Sequence, residues 1–194
     1  MKSIGLFFGS FNPIHLGHTQ LAKYIFDFSG VDEIWYIVSP GNPLKEQKEL
    51  IDESLRLKMT ELAVGDKDYL KVSDIEFYLP KPSYTIVTLE TLNEKYPEND
   101  FILLIGSDNM AIFDKWKDYQ TILEKFSIIV YPRKGYPYEE YEEKYPDMQV
   151  LEEAPIFEIS STQIRKMIKD RQDVTSWLHP AVYQFILENN LYLV

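Results

Sequence analysis

Residues 3–19 read SIGLFFGSFNPIHLGHT and join a short apolar run to a helical pattern through a turn rich in glycine, proline and histidine. The apolar run predicts a buried strand, and residues 16–30 predict an amphipathic helix that ends near Gly30. A strand followed by a turn and a helix is the basic unit of an α/β domain. This stretch therefore sets the fold class, and it places two histidines at the end of a strand.

The same alternation of strand and helix patterns continues along the chain. Apolar runs predict four further strands, at residues 33–39, 69–77, 100–108 and 127–133. A helix is expected to open at Asp52 and to close near Gly65, since these residue types cap helices. The alternation predicts an α/β fold with a mostly parallel sheet of five or six strands and a small helical extension at about 160–194. We expect one domain over residues 1–194, with ligands beyond the carboxyl ends of the strands.

The composition argues against several classes of function. The 194 residues carry a formal net charge of −11 and include no cysteine. A nucleic-acid partner needs a basic surface, which this charge disfavours. The lack of cysteine excludes disulfides, thiolate catalysis and cysteine-ligated zinc. No apolar run approaches the roughly 20 residues of a membrane span, and the N-terminus lacks a signal-peptide pattern. We therefore expect a cytoplasmic protein that does not bind membranes.

Residues 9–18 carry groups that suit a phosphate. Gly9 lets a ligand approach the main chain, and His15 and His18 can share one face of a helix start. Free backbone N–H groups at that helix end point toward the same space. No carboxylate or serine–base pair accompanies them, so covalent catalysis has little support. Two alternatives use the same residues: a tight turn with partly buried histidines, or a zinc site completed by His179 and carboxylates.

Two motifs at opposite ends of the chain resemble those of one superfamily. GSFNPIHLGH, at residues 9–18, resembles the H-x-G-H signature of the nucleotidyltransferases. ISSTQIR, at residues 159–165, resembles their I-S-S-T-x-x-R element. The serines and threonine of this element suit a helix N-cap, and Arg165 can fork onto phosphate oxygens. The alternative for the second motif alone is an ordinary capped surface helix.

Four further segments narrow the family, three between these motifs and one after them. They resemble segments of bacterial nicotinate-nucleotide adenylyltransferases: GNPLKEQ at 41–47, PSYTIVTLETL at 82–92, LLIGSDNMAIFDKWKDYQTI at 103–122 and LHPAVYQFILENNLY at 178–192. Three positions depart from the family pattern. Leu44 stands where the family often has histidine, Lys81 is the nearest basic residue before the S-Y-T element, and Lys117 replaces a common aromatic residue.

The resemblance implies a Rossmann-like, doubly wound fold and a specific reaction. The adenylyl group of ATP would pass to nicotinate mononucleotide, giving nicotinate adenine dinucleotide and pyrophosphate. It implies His18, His15 and Arg165 as catalytic residues. It implies ATP contacts at Gly9, Ser10, Phe11, His15, His18, Gly106, Asp108, Ser161, Thr162 and Arg165. It implies mononucleotide contacts at Lys45, Thr85, Trp116 and Arg133. Mg²⁺ would bridge ATP phosphates with mostly water ligands, so no protein metal ligand is expected.

Other functions stay open at this point. The acceptor could instead be nicotinamide mononucleotide or phosphopantetheine, although the phosphopantetheine enzymes do not match the S-Y-T and tryptophan segments. A non-catalytic nucleotide-binding module is a further alternative, and a structural or interaction protein would leave the two phosphate motifs unexplained. The Tyr- and Glu-rich segment 136–145 reads as a solvated loop or helix. The oligomeric state is left open.

Overall fold

A six-stranded parallel sheet forms the centre of the structure, a computed structural model that describes residues 1–41 and 50–193. The strands are β1 (Lys2–Gly9), β2 (Glu33–Val38), β3 (Leu70–Ser73), β4 (Asn99–Gly106), β5 (Ser127–Tyr131) and β6 (Gln149–Val150). Their spatial order is β3-β2-β1-β4-β5-β6, and every neighbouring pair is parallel. The order reverses between β1 and β4, so the sheet is doubly wound, as the resemblance implied.

Helices connect the strands and follow the last of them. They are α1 (Leu16–Ser29), α2 (Glu53–Val64), α3 (Thr85–Lys95), α4 (Ser107–Met110), α5 (Tyr119–Lys125), α6 (Ser161–Lys169) and α7 (Pro180–Glu188). The predicted ends of α2 are confirmed, since Asp52 accepts the Ser54 N–H at 2.8 Å and Gly65 has a φ of 58°. Among the described residues, no helix has the length and apolar character that crossing a bilayer requires.

Apolar side chains cover both faces of the sheet. Along β1 the side chains alternate, so Ile4 and Leu6 face one side and Phe7 faces the other. Phe7 packs in a core with residues of α1, α2, α6 and α7, and Ile4 and Leu6 pack with residues of α3 and α5. This explains why β4 reads as a nearly continuous apolar run, which is typical of a parallel strand buried on both faces.

Several segments differ from the sequence prediction. The strand predicted over 100–108 ends at Gly106, where α4 begins, and β6 was not predicted. Two further differences have a visible cause. The strand predicted over 69–77 ends at Ser73, and Ile75–Tyr78 form a 3-10 turn instead. In that turn Glu76 is buried, and its Oε1 accepts a hydrogen bond from Thr88 Oγ1 of α3 at 2.8 Å. The segment 136–145 is mostly solvated, but Tyr145 is only 4% exposed and its ring packs on Phe113. Both differences arise from contacts with residues distant in sequence.

Candidate active site

A cavity of about 730 Å³ lies at the carboxyl ends of β1, β4 and β5, where the strand order reverses. Three sets of residues line it: the turn after β1, the residues after β4 and β5, and the segment 155–165 that leads into α6. Ligand sites of open α/β sheets lie at this position. The two sequence motifs therefore meet at one cavity.

His15 and His18 stack in this cavity. His15 is the N-cap of α1, and the two ring centroids are 3.7 Å apart at an interplanar angle of 30°. The backbone N–H of His15 donates to His18 Nδ1 at 3.2 Å, so the neutral His18 ring carries its proton on Nε2. Phe7 and Phe11 pack edge-on against His18, with centroids 6.2 and 5.3 Å away. The predicted shared face of the pair is confirmed.

Both histidines are neutral near pH 7 in the absence of a ligand. Burial, together with the nearby charge of Arg133, lowers the pKa of His15 to about 4. Burial also lowers the pKa of His18 well below its ordinary range, and His15 and Arg133 lower it further. The cause is that a protonated ring would be poorly solvated and close to another cation. A bound anionic phosphate would offset the repulsion between a protonated ring and the nearby cation, and it would therefore raise the pKa of the histidines.

The second motif contacts the first directly. Ser160 is the N-cap of α6, and its Oγ accepts the Gln163 N–H at 3.2 Å. Ser161 Oγ donates to the Pro13 carbonyl at 2.8 Å, although 148 residues separate the two. From the same helix, Arg165 also donates to the turn after β1. The start of α6 is therefore bound to this turn, with Ser161, Thr162 and Arg165 all lining the cavity.

The residues after β4 and β5 form the opposite wall. Arg133 Nε lies 3.6 Å from Asp108 Oδ1. Ser107 is fully buried; its Oγ donates to the Tyr136 carbonyl at 2.7 Å and accepts the Arg133 N–H at 2.9 Å. Gly106 does not line the cavity, but a Cβ there would lie 2.3 Å from Asp108 Oδ1 and 2.8 Å from Arg133 Cγ. Arg133, expected beside the mononucleotide, therefore shares a cavity with the residues expected to bind ATP.

The other residues expected to bind the mononucleotide lie elsewhere. Thr85 begins α3, and Trp116 follows a 3-10 turn and packs on Phe113 with centroids 5.1 Å apart; neither lines this cavity. Lys117 Nζ lies 4.6 Å from the centroid of the Tyr84 ring, which brings the tryptophan segment next to the start of α3. Lys45 falls outside the described residues.

A larger groove, of about 920 Å³, lies at the amino ends of the strands. In this groove Glu33 pairs with Lys2 and Lys71. Burial alone would raise the pKa of Glu33, but hydrogen bonds from Lys2, Lys71 and Trp35 lower it to about 2. Neither sequence motif lines this groove, and two of its lysines are already paired, so it is the weaker candidate site.

Arg56 and Glu76 are buried charged residues near the site that the sequence analysis missed. Arg56 is 1% exposed and lies in α2 between the cavity and the end of β2. Glu76 is 2% exposed, and burial raises the pKa of its carboxyl. Their positions in the sequence could have indicated burial. Arg56 precedes the buried Met59 by three residues, on the apolar face of its helix, and Glu76 interrupts an apolar run.

The described residues include no group of three or more histidine, cysteine, aspartate or glutamate side chains that could hold a metal ion. His179, the third ligand in the zinc alternative, is the N-cap of α7, and its Nδ1 accepts the Ala181 N–H at 3.3 Å. The cavity's Asp108 faces Arg133. The site is therefore one of hydrogen-bond donors and cations, which suits a polyanionic ligand.

The fold and the two motifs that meet at the cavity, residues 9–18 and 159–165, define a nucleotidyltransferase domain. In agreement, the cytidylyltransferase-like family model matches residues 6–167. A probable nicotinate-nucleotide adenylyltransferase of Bacteroides thetaiotaomicron is 47% identical to this chain, over 95% of this chain and 90% of the relative. A second one, of Flavobacterium johnsoniae, is also 47% identical, over 97% of this chain and 98% of the relative. The chain thus belongs to the nicotinate-nucleotide adenylyltransferase family.

A solved structure supports the fold. Plasmodium falciparum nicotinic acid mononucleotide adenylyltransferase complexed with NaAD superposes with a TM-score of 0.81, at 21% identity, over 99% of this chain and 98% of that one. At this identity the likeness establishes the fold alone.

Proposed function

We propose that this protein transfers the adenylyl group of ATP to nicotinate mononucleotide, giving nicotinate adenine dinucleotide and pyrophosphate. The observation that carries the proposal is the contact between the two motifs: Ser161 bonds to the Pro13 carbonyl, and the histidine pair lies in the same cavity. The names of the similar proteins support the choice of substrates.

The reaction is an in-line displacement at the α-phosphorus of ATP. The phosphate of the mononucleotide attacks, and pyrophosphate leaves. Such a transfer needs positioning and charge stabilisation more than a nucleophilic side chain. His18 is proposed to donate from Nε2 to the α-phosphate, because its Nδ1 is occupied by the His15 N–H. His15 would act beside it on the triphosphate.

The remaining cavity residues have supporting roles in this proposal. Ser161, Thr162 and Arg165 would hold the β- and γ-phosphates at the start of α6, where the helix dipole also favours an anion. Gly9, Ser10 and Phe11 would contact ATP through the backbone. Gly106 and Asp108 would lie near the adenosine, and Asp108 would accept a hydrogen bond from a ribose hydroxyl. Arg133, which lines the same cavity, would bind the acceptor's phosphate or the leaving pyrophosphate.

The acceptor's pyridine ring is proposed to bind next to the cavity, between Trp116 and the start of α3. Trp116 would stack on the ring, and Thr85 with neighbouring N–H groups would bind its carboxylate. Lys45 would bind the acceptor's phosphate. The contact of Lys117 with Tyr84 supports this placement, because it brings the tryptophan segment and the helix start together.

Three accompanying features complete the proposal. Mg²⁺ would arrive with ATP and offset part of the charge on its phosphates; because the wall of the cavity offers donors more than carboxylates, no protein ligand for the ion is proposed. The whole chain would act as one domain in the cytoplasm; in support, Ile164 of α6 and Val182 of α7 share a core with Phe7 of β1. The net charge of −11 disfavours a nucleic-acid partner.

A pyrophosphate-release assay with ATP and Mg²⁺ tests the proposal. Nicotinate mononucleotide, nicotinamide mononucleotide and phosphopantetheine are compared as acceptors, and we expect the highest kcat/KM with the first. Preference for another acceptor would leave an adenylyltransferase with a different substrate. Absence of release with all three would instead favour a non-catalytic nucleotide-binding module.

A further inference from the structure

Arg56 is a fully buried arginine beneath the turn that follows β1. Among the described residues, its guanidinium donates only to backbone carbonyls: Nη1 to Ser10 and Ser39 at 2.7 Å each, Nη2 to Pro40 at 3.1 Å and Nε to Ile51 at 3.0 Å. One side chain therefore joins the end of β1, the end of β2 and the residues that lead into α2.

The guanidinium has no carboxylate at ion-pair distance among the described residues. A buried charge is costly and is usually paired with an opposite charge. Here four carbonyl dipoles stabilise it, and burial lowers the pKa of Arg56 from its ordinary value. Arginine stays protonated even so, because its pKa begins far above neutrality. The result is a permanent positive charge next to the cavity.

The Ser10 carbonyl connects this charge to the cavity. In a trans peptide the carbonyl and the next N–H point in opposite directions, so the Phe11 N–H points away from Arg56. Ser10 and Phe11 both line the cavity, and no acceptor in the described part of the chain takes the Phe11 N–H. A charge-assisted hydrogen bond to the carbonyl polarises the peptide unit and makes its N–H a stronger donor.

The Gly9–Ser10 peptide, which precedes the Ser10–Phe11 peptide, is held by Ser39, a second residue that Arg56 contacts. The Ser39 N–H donates to the Gly9 carbonyl at 2.9 Å, and Arg56 binds the carbonyls of both Ser39 and Ser10. A Cβ at Gly9 would lie 2.7 Å from atoms of the Phe11 ring, so the turn is closely packed as well. The position of the Phe11 N–H therefore depends on the contacts that Arg56 makes.

We propose that Arg56 is a positioning residue for ATP, which holds the Ser10–Phe11 peptide in place and strengthens the Phe11 N–H as a donor to an ATP phosphate. The inference rests on the proposed function in that ATP must bind this cavity. It assigns Arg56 an effect on ATP, exerted through the backbone, with little effect on the mononucleotide.

Chemical rescue of R56A tests the role of the charge. We expect kcat/KM for ATP to fall by about 10²-fold, the cost of displacing a reacting group, while KM for nicotinate mononucleotide stays near the wild-type value. Millimolar guanidinium should restore part of the loss. Urea, which has a similar planar shape and no charge, should restore none. Equal rescue by urea, or wild-type kinetics in R56A, would overturn the proposal.

R56K provides a second, milder variant in case R56A does not fold. It retains the charge, but a lysine ammonium cannot bind carbonyls of three segments with the planar fork of arginine. We expect a raised KM for ATP at an unchanged circular-dichroism spectrum. The matched control is K58M, which removes an exposed charge from the same helix. Identical ATP kinetics in R56K and K58M would contradict a positioning role.

Titration of ATP in the absence of an acceptor separates this inference from the proposed function. If the wild-type protein bound ATP but released no pyrophosphate with any acceptor, the proposed reaction would be wrong. The role of Arg56 would still be tested, by the affinity of R56K for ATP. We expect that affinity to be lower than in K58M. Equal affinity of the two variants would count against Arg56 alone.

Discussion

Arg165 Nη1 donates a hydrogen bond to the Asn12 carbonyl at 2.9 Å, across 153 residues of sequence. Asn12 precedes the proline of the turn that leads to the histidine pair, and its side-chain Oδ1 accepts a hydrogen bond from Tyr192 at 2.8 Å. The turn after β1 is thus bound by α6 and by a residue that follows α7. These contacts explain why two motifs so distant in sequence line one cavity.

Replacing His18 with alanine should reduce turnover much more than binding of the mononucleotide. The proposed hydrogen bond from Nε2 stabilises charge that develops in the transition state, and loss of one such donor costs about 10²–10³-fold in kcat. Steady-state pyrophosphate release measures the effect. His179→Ala is the control, because it removes a histidine that caps α7 outside the cavity. Near-normal turnover of His18→Ala would remove His18 from the mechanism.

The unliganded protein should lose stability as the pH falls from about 6.5 toward 4, partly because of His15. Its folded-state pKa of about 4 lies below the unfolded value of 6.5, so the unfolded chain binds the proton first. The loss is at most about 3 kcal/mol, is complete near the folded pKa and is absent above pH 7.

Urea unfolding of wild type and His15→Gln at several pH values measures this contribution. Between pH 6.5 and 5, the slope of unfolding free energy against pH should be smaller in the variant. This window lies between the unfolded and folded pKa values of His15, 6.5 and about 4. Glu33 does not interfere there, since its pKa is lowered to about 2 and its stabilisation is lost only in stronger acid. Parallel slopes in the two proteins would show that His15 is not a neutral buried group.

Replacing Gly106 with alanine should weaken ATP binding. The added Cβ would lie 2.3 Å from Asp108 Oδ1, so the carboxylate and Arg133 would have to move. Overpacking of this kind costs about 1–3 kcal/mol. The control is Gly5→Ala, whose Cβ would meet only the flexible side chain of Leu104, away from the cavity. KM for ATP should rise in the first variant only; an unchanged KM would mean that Asp108 does not contact ATP.

Replacing Trp116 with alanine should mainly raise KM for nicotinate mononucleotide. If the indole stacks on the pyridine ring, its loss removes about 0.5–1.5 kcal/mol beyond the buried area. Trp116→Phe keeps an aromatic face and should retain most of the affinity. Steady-state kinetics with each substrate varied in turn decides the matter, and an effect confined to ATP would show that the two substrate sites are assigned the wrong way round.

Local patterns predicted much of the architecture. Helical spacing and cap residues placed α1 and α2, whose predicted ends at Gly30 and Gly65 both have positive φ. Alternation of strands and helices predicted the parallel sheet, since a parallel pair needs a crossover between its strands. These features depend on neighbours within a few residues, which is why the sequence alone contains them. The assignment of residues 1–194 to one domain and the roles of the site residues stay predictions.

Features that depend on distant contacts were less accessible. The end of β3 at Ser73 follows from the burial of Glu76 against Thr88, and Tyr145 is buried because its ring meets Phe113. The sequence by itself predicted the alternation of five strands with helices, the ends of α1 and α2 and the two motifs that line the cavity. Only the tertiary structure decided that Arg133 shares a cavity with the histidine pair, that Arg56 lies beneath Ser10 and that the histidines are neutral, because burial and proximity between remote residues set charge and position.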